Sequence, residues 1–302
     1  TDLLSLQGGI RTDYWNFIDK LTIDPRFSIR YLIQENFALK FGWGIYHQNI
    51  RTISDPNFTF FDIWIPTDTT VPIIQATHYI LSLETNPFQG ISLNFDIYYK
   101  TLKDISQMNM TMLQGTKASD VLYVGNGNTY GFEIFAQKKY GKFTGWLGYA
   151  YGVVNYKFDS LNNGKIFHPK FDRTHDIKIV LNYSINNKFS VGANFLFQSG
   201  QPYTGATSRV QLKLPGQNYG RDLVITSDLY ALRLPPSHQL NINASYYFKT
   251  FGLQSTLALD IYNVYSHRDI LARYYNASED IVKVEDIRLL PIIPSISYEI
   301  KF

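Results

Sequence analysis

Residues 90–100 read Gly90-Ile91-Ser92-Leu93-Asn94-Phe95-Asp96-Ile97-Tyr98-Tyr99-Lys100. Ile91, Leu93, Phe95, Ile97 and Tyr99 alternate with Ser92, Asn94, Asp96, Tyr98 and Lys100. Successive side chains of a strand point to opposite faces, so this stretch is a β-strand with one apolar and one polar face. The pattern recurs outward in both directions. Phe37, Leu39, Phe41, Trp43 and Ile45 oppose Asn36, Lys40, Gly42 and Gly44. Leu240, Ile242, Ala244, Tyr246 and Phe248 oppose Gln239, Asn241, Asn243 and Ser245. In the last such segment Ile296, Tyr298, Ile300 and Phe302 oppose Ser295, Ser297, Glu299 and Lys301. About twelve strands result, near 3–14, 24–34, 36–48, 73–86, 88–101, 128–140, 142–157, 171–186, 187–200, 234–249, 250–266 and 286–302.

These strands run about 10–16 residues, where five or six is usual. A strand tilted by about 45° crosses a bilayer in about 9–11 residues. The links between strands carry a second period. Short links near 34–35, 85–87, 140–141, 186–187 and 250 alternate with long ones near 15–23, 49–72, 102–127, 158–170, 201–233 and 267–285. Outer-membrane barrels have short periplasmic turns and long extracellular loops, and a soluble sandwich has no reason to segregate lengths this way. The first strand is expected to run outward and the last to end in the periplasm. The fold class expected is all-β, an antiparallel transmembrane β-barrel.

Composition agrees. The chain has 302 residues, with 23 Tyr, 21 Phe and 4 Trp, no cysteine, 18% charged residues and a net charge of +3. Absence of Cys removes disulfide scaffolds, thiolate metal sites and thiol chemistry. So small a positive charge does not suit an electrostatic nucleic-acid binder, and no nucleic-acid partner is expected. No apolar run approaches the ~18 residues of a transmembrane helix. The opening residues lack a signal-peptide pattern and an initiator Met, which reads as a processed chain or a fragment. Trp43, Tyr99, Tyr149, Tyr151, Tyr156, Tyr183, Tyr246 and Tyr298 fall where aromatic girdles would meet the membrane interfaces.

Catalytic motifs are scarce, and no enzyme is expected. There is no Gly-x-Ser-x-Gly, and no His-x-Ser-Asn-Gly-like segment of an outer-membrane lipid hydrolase. Gly125-Asn126-Gly127-Asn128-Thr129-Tyr130-Gly131 lacks the dinucleotide spacing and reads as a turn. His168 and His175 flank Asp172 at a spacing that permits chelation, but a solvated loop is the plainer expectation. No metal and no cofactor is expected.

The charges on the polar face are more informative. Arg30, Lys40, Glu84, Asp96, Lys100, Glu133, Lys178 and Asp260 all fall there. Arg or Lys at the lipid midplane costs roughly 2–4 kcal/mol, so this face must meet a wet or protein-filled interior. The long links supply ligand-binding candidates. Arg51, Phe60 and Trp64 stand in one, and Tyr203, Arg209, Lys213, Tyr219 and Arg221 in another. Exposed aromatics interleaved with cations suit planar, anionic or sugar-like ligands. The same cations suit lipopolysaccharide phosphates.

Several segments resemble the C-terminal half of a TonB-dependent outer-membrane receptor. Pro25-Arg26-Phe27-Ser28-Ile29-Arg30-Tyr31 and Phe37-Ala38-Leu39-Lys40-Phe41-Gly42-Trp43-Gly44 look like two paired strands of that family. Tyr130-Gly131-Phe132-Glu133-Ile134 is similar to its Gly-hydrophobic-Glu strand. His168-Pro169-Lys170-Phe171-Asp172-Arg173-Thr174-His175 and Gln198-Ser199-Gly200-Gln201-Pro202-Tyr203-Thr204 resemble recurrent segments beside strands. Arg233-Leu234-Pro235-Pro236-Ser237-His238-Gln239-Leu240 is similar to another, with Asn241 where an acid is usual. Ile261-Tyr262-Asn263-Val264-Tyr265 resembles a further motif, with Ser266 where Asn is usual, and Pro291 opens a final strand closed by Phe302. The matches keep family order along nearly the whole chain.

The resemblance implies a 22-stranded barrel filled by a plug. This chain would then be its C-terminal part, a barrel segment over 1–302 with no plug of its own. It also implies energy-dependent uptake of a scarce large ligand: a siderophore, a cobalamin, an oligosaccharide or a peptide. The implied partners are outer-membrane lipid and lipopolysaccharide, a plug and remaining strands from elsewhere, and a TonB-type energy transducer acting through the plug. The charged polar-face residues would contact that plug. The implied location is the outer membrane of a Gram-negative bacterium. The alternatives are a complete 12-stranded passive channel, a structural barrel subunit of an envelope complex, and an outer-membrane lipid hydrolase.

Overall fold

The computed structural model describes residues 3–54, 62–108, 117–212, 216, 221–276 and 283–302. Twelve strands form one antiparallel sheet in chain order. They are β1 (Leu4–Trp15), β2 (Lys20–Gln34), β3 (Phe37–Gln48), β4 (Ile74–Phe88), β5 (Ile91–Met108), β6 (Leu122–Lys138), β7 (Phe143–Lys157), β8 (His175–Ser184), β9 (Phe189–Gln198), β10 (Ser237–Thr250), β11 (Leu253–Tyr262) and β12 (Ile293–Lys301). Every neighbouring pair is a nearest-neighbour hairpin. Among the described residues β1 pairs only with β2 and β12 only with β11, so the sheet has two free edges.

The register joins the apolar residues into continuous rows. Ile29 lies opposite Phe41, then Leu81, Ile97, Phe132 and Tyr151 on successive strands. A second row runs Phe27, Trp43, Tyr79, Tyr99 and Tyr130, aromatic on five strands. The polar residues form the rows between. Arg30 faces Lys40, then Ser82, Asp96 and Glu133.

Exposure is inverted relative to a water-soluble sheet. In β5 Leu93, Phe95, Ile97 and Tyr99 are exposed, and Asn94, Asp96, Tyr98 and Lys100 between them are half-buried. Ala38 and Ser245, on the polar face, are buried to 2% and 9%. The polar face is therefore the more crowded one. A row of exposed Leu, Ile and Phe in water would be a severe liability, and in hydrocarbon it is the expected surface.

Four expectations need correction. The first outer link is a tight turn at 16–19, because Trp15 pairs with Lys20 and the hairpin continues to its end. Gly125 and Gly127 lie in strand β6, not in a turn. A Cβ on Gly127 would meet the Tyr156 ring at 2.8 Å, so glycine there admits a ring across the strand. Tyr156 is opposite Gly127 on the polar face, so it belongs to the interior and to no outer girdle. The long links also carry β-structure of their own: hairpins Ile50–Ser54/Asp62–Pro66, Ala206–Leu212/Arg221–Thr226 and Ile270–Asn276/Lys283–Arg288. Their local pairing is legible only once their outward direction is known.

Candidate functional site

The long links at one end of the sheet pack into a connected rim. Ile105, Phe158, Phe167 and Tyr230 form its buried apolar centre, with Tyr156 against them. Phe158 stacks on Phe167 at 5.9 Å, and Phe167 lies 6.1 Å from the Tyr230 ring. Asn162 bonds Leu229 twice: its Nδ2 donates to the Leu229 carbonyl at 3.1 Å, and the Leu229 N–H donates back to Oδ1 at 2.9 Å. Lys170 reaches Asp62 at 2.7 Å, tying two links that stand 108 residues apart.

Polar latches fix the rim to the strand ends. Asp172, 1% exposed, accepts from the Val154 N–H at 2.9 Å and from Arg233 Nη2 at 2.6 Å. Asn263, also 1% exposed, takes φ of 52°, a left-handed conformation that asparagine tolerates. Its side chain bonds the His267 N–H and carbonyl and the Leu290 carbonyl, closing the base of the link 263–292. His168 bonds the Val154 carbonyl and His175 the Tyr149 hydroxyl. His168 and Asp172 thus both turn to the Val154 backbone, and His175 turns to Tyr149, so the three side chains are engaged with the protein rather than with one another.

A cleft lies between the hairpins of the last two long links. It encloses about 230 Å³ and is lined by Tyr203, Thr204, Leu234, Arg273 and Tyr275. The hydroxyls of Tyr203 and Tyr275 are 3.2 Å apart. The Arg273 guanidinium sits 5.9 Å from the Tyr203 ring centre and makes a bidentate pair with Asp286, at 2.7 and 3.1 Å. The hydrogen bonds from Arg273 hold the Asp286 carboxyl below its usual range, and the pair raises the Arg273 guanidinium further. Burial, reinforced by the bond to Tyr203, pushes the Tyr275 phenol up to about 12, so it stays a neutral hydroxyl at physiological pH. Hydroxyl donors, a guanidinium and ring faces converge there, a set that favours an acceptor-rich, planar or anionic group.

The expected ligand residues divide. Tyr203 lines this cleft. Trp64 is 65% exposed on the first hairpin, opposite Thr52. Arg209 is half-buried on the hairpin at Ala206–Leu212. Arg221 opens the return strand of that hairpin, and Phe60, Lys213 and Tyr219 lie outside the described residues. Arg51 is corrected from a surface residue to an internal one. It is 2% exposed, with its guanidinium donating to Ser106, Thr67 and the Pro72 carbonyl; burial pushes that guanidinium down. Arg273, Tyr274 and Tyr275 were missed, although the cation-with-aromatics rule that selected Tyr203 applies equally to them.

The eight charged residues expected in the interior all fall on the polar face, six of them on β2–β6, Lys178 on β8 and Asp260 on β11. Lys40 pairs with Glu84, Lys178 lies 3.3 Å from Asp176, and Lys100 caps the Tyr98 ring at 4.9 Å. Asp96 is opposite Glu133, Arg30 opposite Ser5, and Asp260 opposite Asn243 and Ser295.

A free-edged, twelve-stranded sheet with an apolar outside and a rim of long loops has close counterparts. The sequence profile of the TonB dependent receptor-like β-barrel matches residues 1–264. The chain belongs to the TonB-dependent receptor β-barrel family. Solved receptors of that kind share the fold. The ferripyoverdine receptor of the Pseudomonas aeruginosa outer membrane is 10% identical, with TM-score 0.65, over 99% of this chain and 36% of its own. The ferric yersiniabactin uptake receptor of Yersinia pestis is 11% identical, with TM-score 0.61, over 94% of this chain and 38% of its own. The FrpB iron transporter of Neisseria meningitidis is 13% identical, with TM-score 0.57, over 99% and 42%. The chain therefore spans about a third of the length of the receptors it resembles. Among curated proteins none matches it. TonB-dependent receptors are outer-membrane transport receptors of Gram-negative bacteria, and their family implies a plug and a TonB partner.

Proposed function

We propose that this chain is the barrel segment of an outer-membrane receptor that takes up a scarce ferric siderophore by an energy-dependent route. Its rim captures the ligand. Its polar wall faces a plug through which a TonB-type transducer acts. The apolar face meets lipid, with lipopolysaccharide around the rim. The observation that carries the reading is the cleft of Tyr203, Tyr275 and Arg273 on a rim held above an inverted sheet. Its donors match the oxygen-rich, anionic surface of an iron chelate, and the structural counterparts are named for such cargo. The two free edges favour a receptor completed by further strands over a closed 12-stranded channel, because unpaired edges are not tolerated in lipid.

The test is binding of ferric and iron-free siderophores to the purified receptor in detergent, followed by Trp fluorescence. Saturable binding of one ferric form, weakened at least tenfold (about 1.4 kcal/mol) by Arg273→Ala with Tyr203→Phe, supports the proposal. Steady ion conductance with no ligand and no energy source would instead favour the passive channel.

A further inference from the structure

The polar face is not uniform. On β2–β6 it carries Arg26, Arg30, Lys40, Asp96, Lys100 and Glu133. On β8–β10 the same face carries the Lys178–Asp176 pair toward the rim end of β8, and beyond it the middle of the face is built from carboxamides. Asn182 lies opposite Gly192, and Gly192 opposite Asn243; one row above, Asn194 faces Asn241. A Cβ on Gly192 would stand 2.2 Å from Asn243 Oδ1 and 2.9 Å from Asn182 Oδ1, so both carboxamides lean over the glycine. Asn241 Nδ2 donates to Asn194 Oδ1 at 2.7 Å. These side chains line a trough of about 370 Å³, with Asp260 at its edge.

The two walls hold partners differently. A hydrogen bond with an ionised partner is roughly twice as strong as a neutral one. A charged wall grips. A wall of amides offers a donor and an acceptor at every step and holds nothing tightly. We infer that the carboxamide wall of β8–β10 is the face along which the ligand passes, and that the charged wall of β2–β6 is the face that grips the plug. The class of ligand surface it fits is polar and rich in hydroxyl, amide or carbonyl groups, the oxygen-rich periphery of an iron chelate. This deepens the uptake reading and rests on it.

The chain has no cysteine, so single thiols report cleanly. In the full receptor, with no other cysteine present, Asn194→Cys and Asn243→Cys probe the amide wall. Ser28→Cys and Ser82→Cys probe the charged wall without removing a charge. A hydrophilic maleimide is added outside cells, with and without inner-membrane energy, during uptake of a ferric siderophore. Labelling at 194 and 243 is expected to rise several-fold with energy and to stay low at 28 and 82. An equal rise on both walls, a larger rise at 28 and 82, or no rise anywhere while uptake proceeds overturns the assignment of walls. Labelling at all four without energy overturns the plug-based uptake reading itself. Asn194→Lys is expected to slow uptake several-fold with unchanged ligand affinity at the rim, and unchanged uptake would also overturn the assignment.

Discussion

Arg233 Nη2 lies 2.6 Å from Asp172 Oδ2, a bond that joins two long links across 61 residues of sequence. Asp172 is almost fully buried, with one further donor, the Val154 N–H. Arg233 also donates to the Gly200 carbonyl at 3.0 Å. One guanidinium therefore holds the ends of both links. Arg233→Ala leaves a buried carboxylate short of a partner and is expected to destabilise the folded receptor by about 3 kcal/mol. Hydrogen exchange should rise at 158–174 and 199–236 together. A rise confined to one link would show that the latch does not couple them.

The pair Arg273–Asp286 gives the cleft an acid limit. The folded Asp286 carboxyl is held below its free value, so its contribution is fully present above about pH 3.9 and is lost as pH falls through the lowered value. The contribution is modest, about 1 kcal/mol for a well-aligned, partly buried pair near the surface. Protease sensitivity of the hairpin at Ile270–Asn276 should increase below pH 4, and Asp286→Asn should show that sensitivity at neutral pH.

Tyr275 gives the alkaline limit. Its phenol is raised to about 12, so the stabilisation from its neutral form is present below the free value of about 10 and lost as pH rises through 12. Phenolate absorbance in wild type against Tyr275→Phe should show one tyrosine missing from the late-titrating set. A difference centred near 10 would contradict the buried hydroxyl pair.

Arg51 separates rim construction from ligand contact. Its guanidinium is spent on Ser106, Thr67 and the Pro72 carbonyl. Arg51→Met is expected to lower thermal stability and loosen 49–73. Ligand affinity should fall only in proportion to the unfolded fraction, measured on the same samples.

Strand existence was legible from Leu93 to Tyr99 and its repeats, because a period of two is a direct print of backbone geometry. Strand ends were less so. β5 continues to Met108 and β6 begins at Leu122, beyond the apolar period, because loops rather than lipid cover those outer turns. Gly125 and Gly127 read locally as a turn, and only the rings of Phe158 and Tyr156 explain them as strand residues. The rim resisted reading for the same reason. Whether a loop arginine is an anchor, as Arg51 is, or lines a cleft, as Arg273 does, depends on partners far along the chain.

The inverted face is tested most directly where the period is clearest. Spin labels placed one at a time from Leu93 to Lys100, in the receptor reconstituted in lipid, report collision with oxygen, which partitions into bilayer, and with a water-soluble nickel chelate. Oxygen accessibility should peak at Leu93, Phe95, Ile97 and Tyr99, and nickel accessibility at Asn94, Asp96, Tyr98 and Lys100. The opposite phase, or no alternation, would contradict the barrel wall described above.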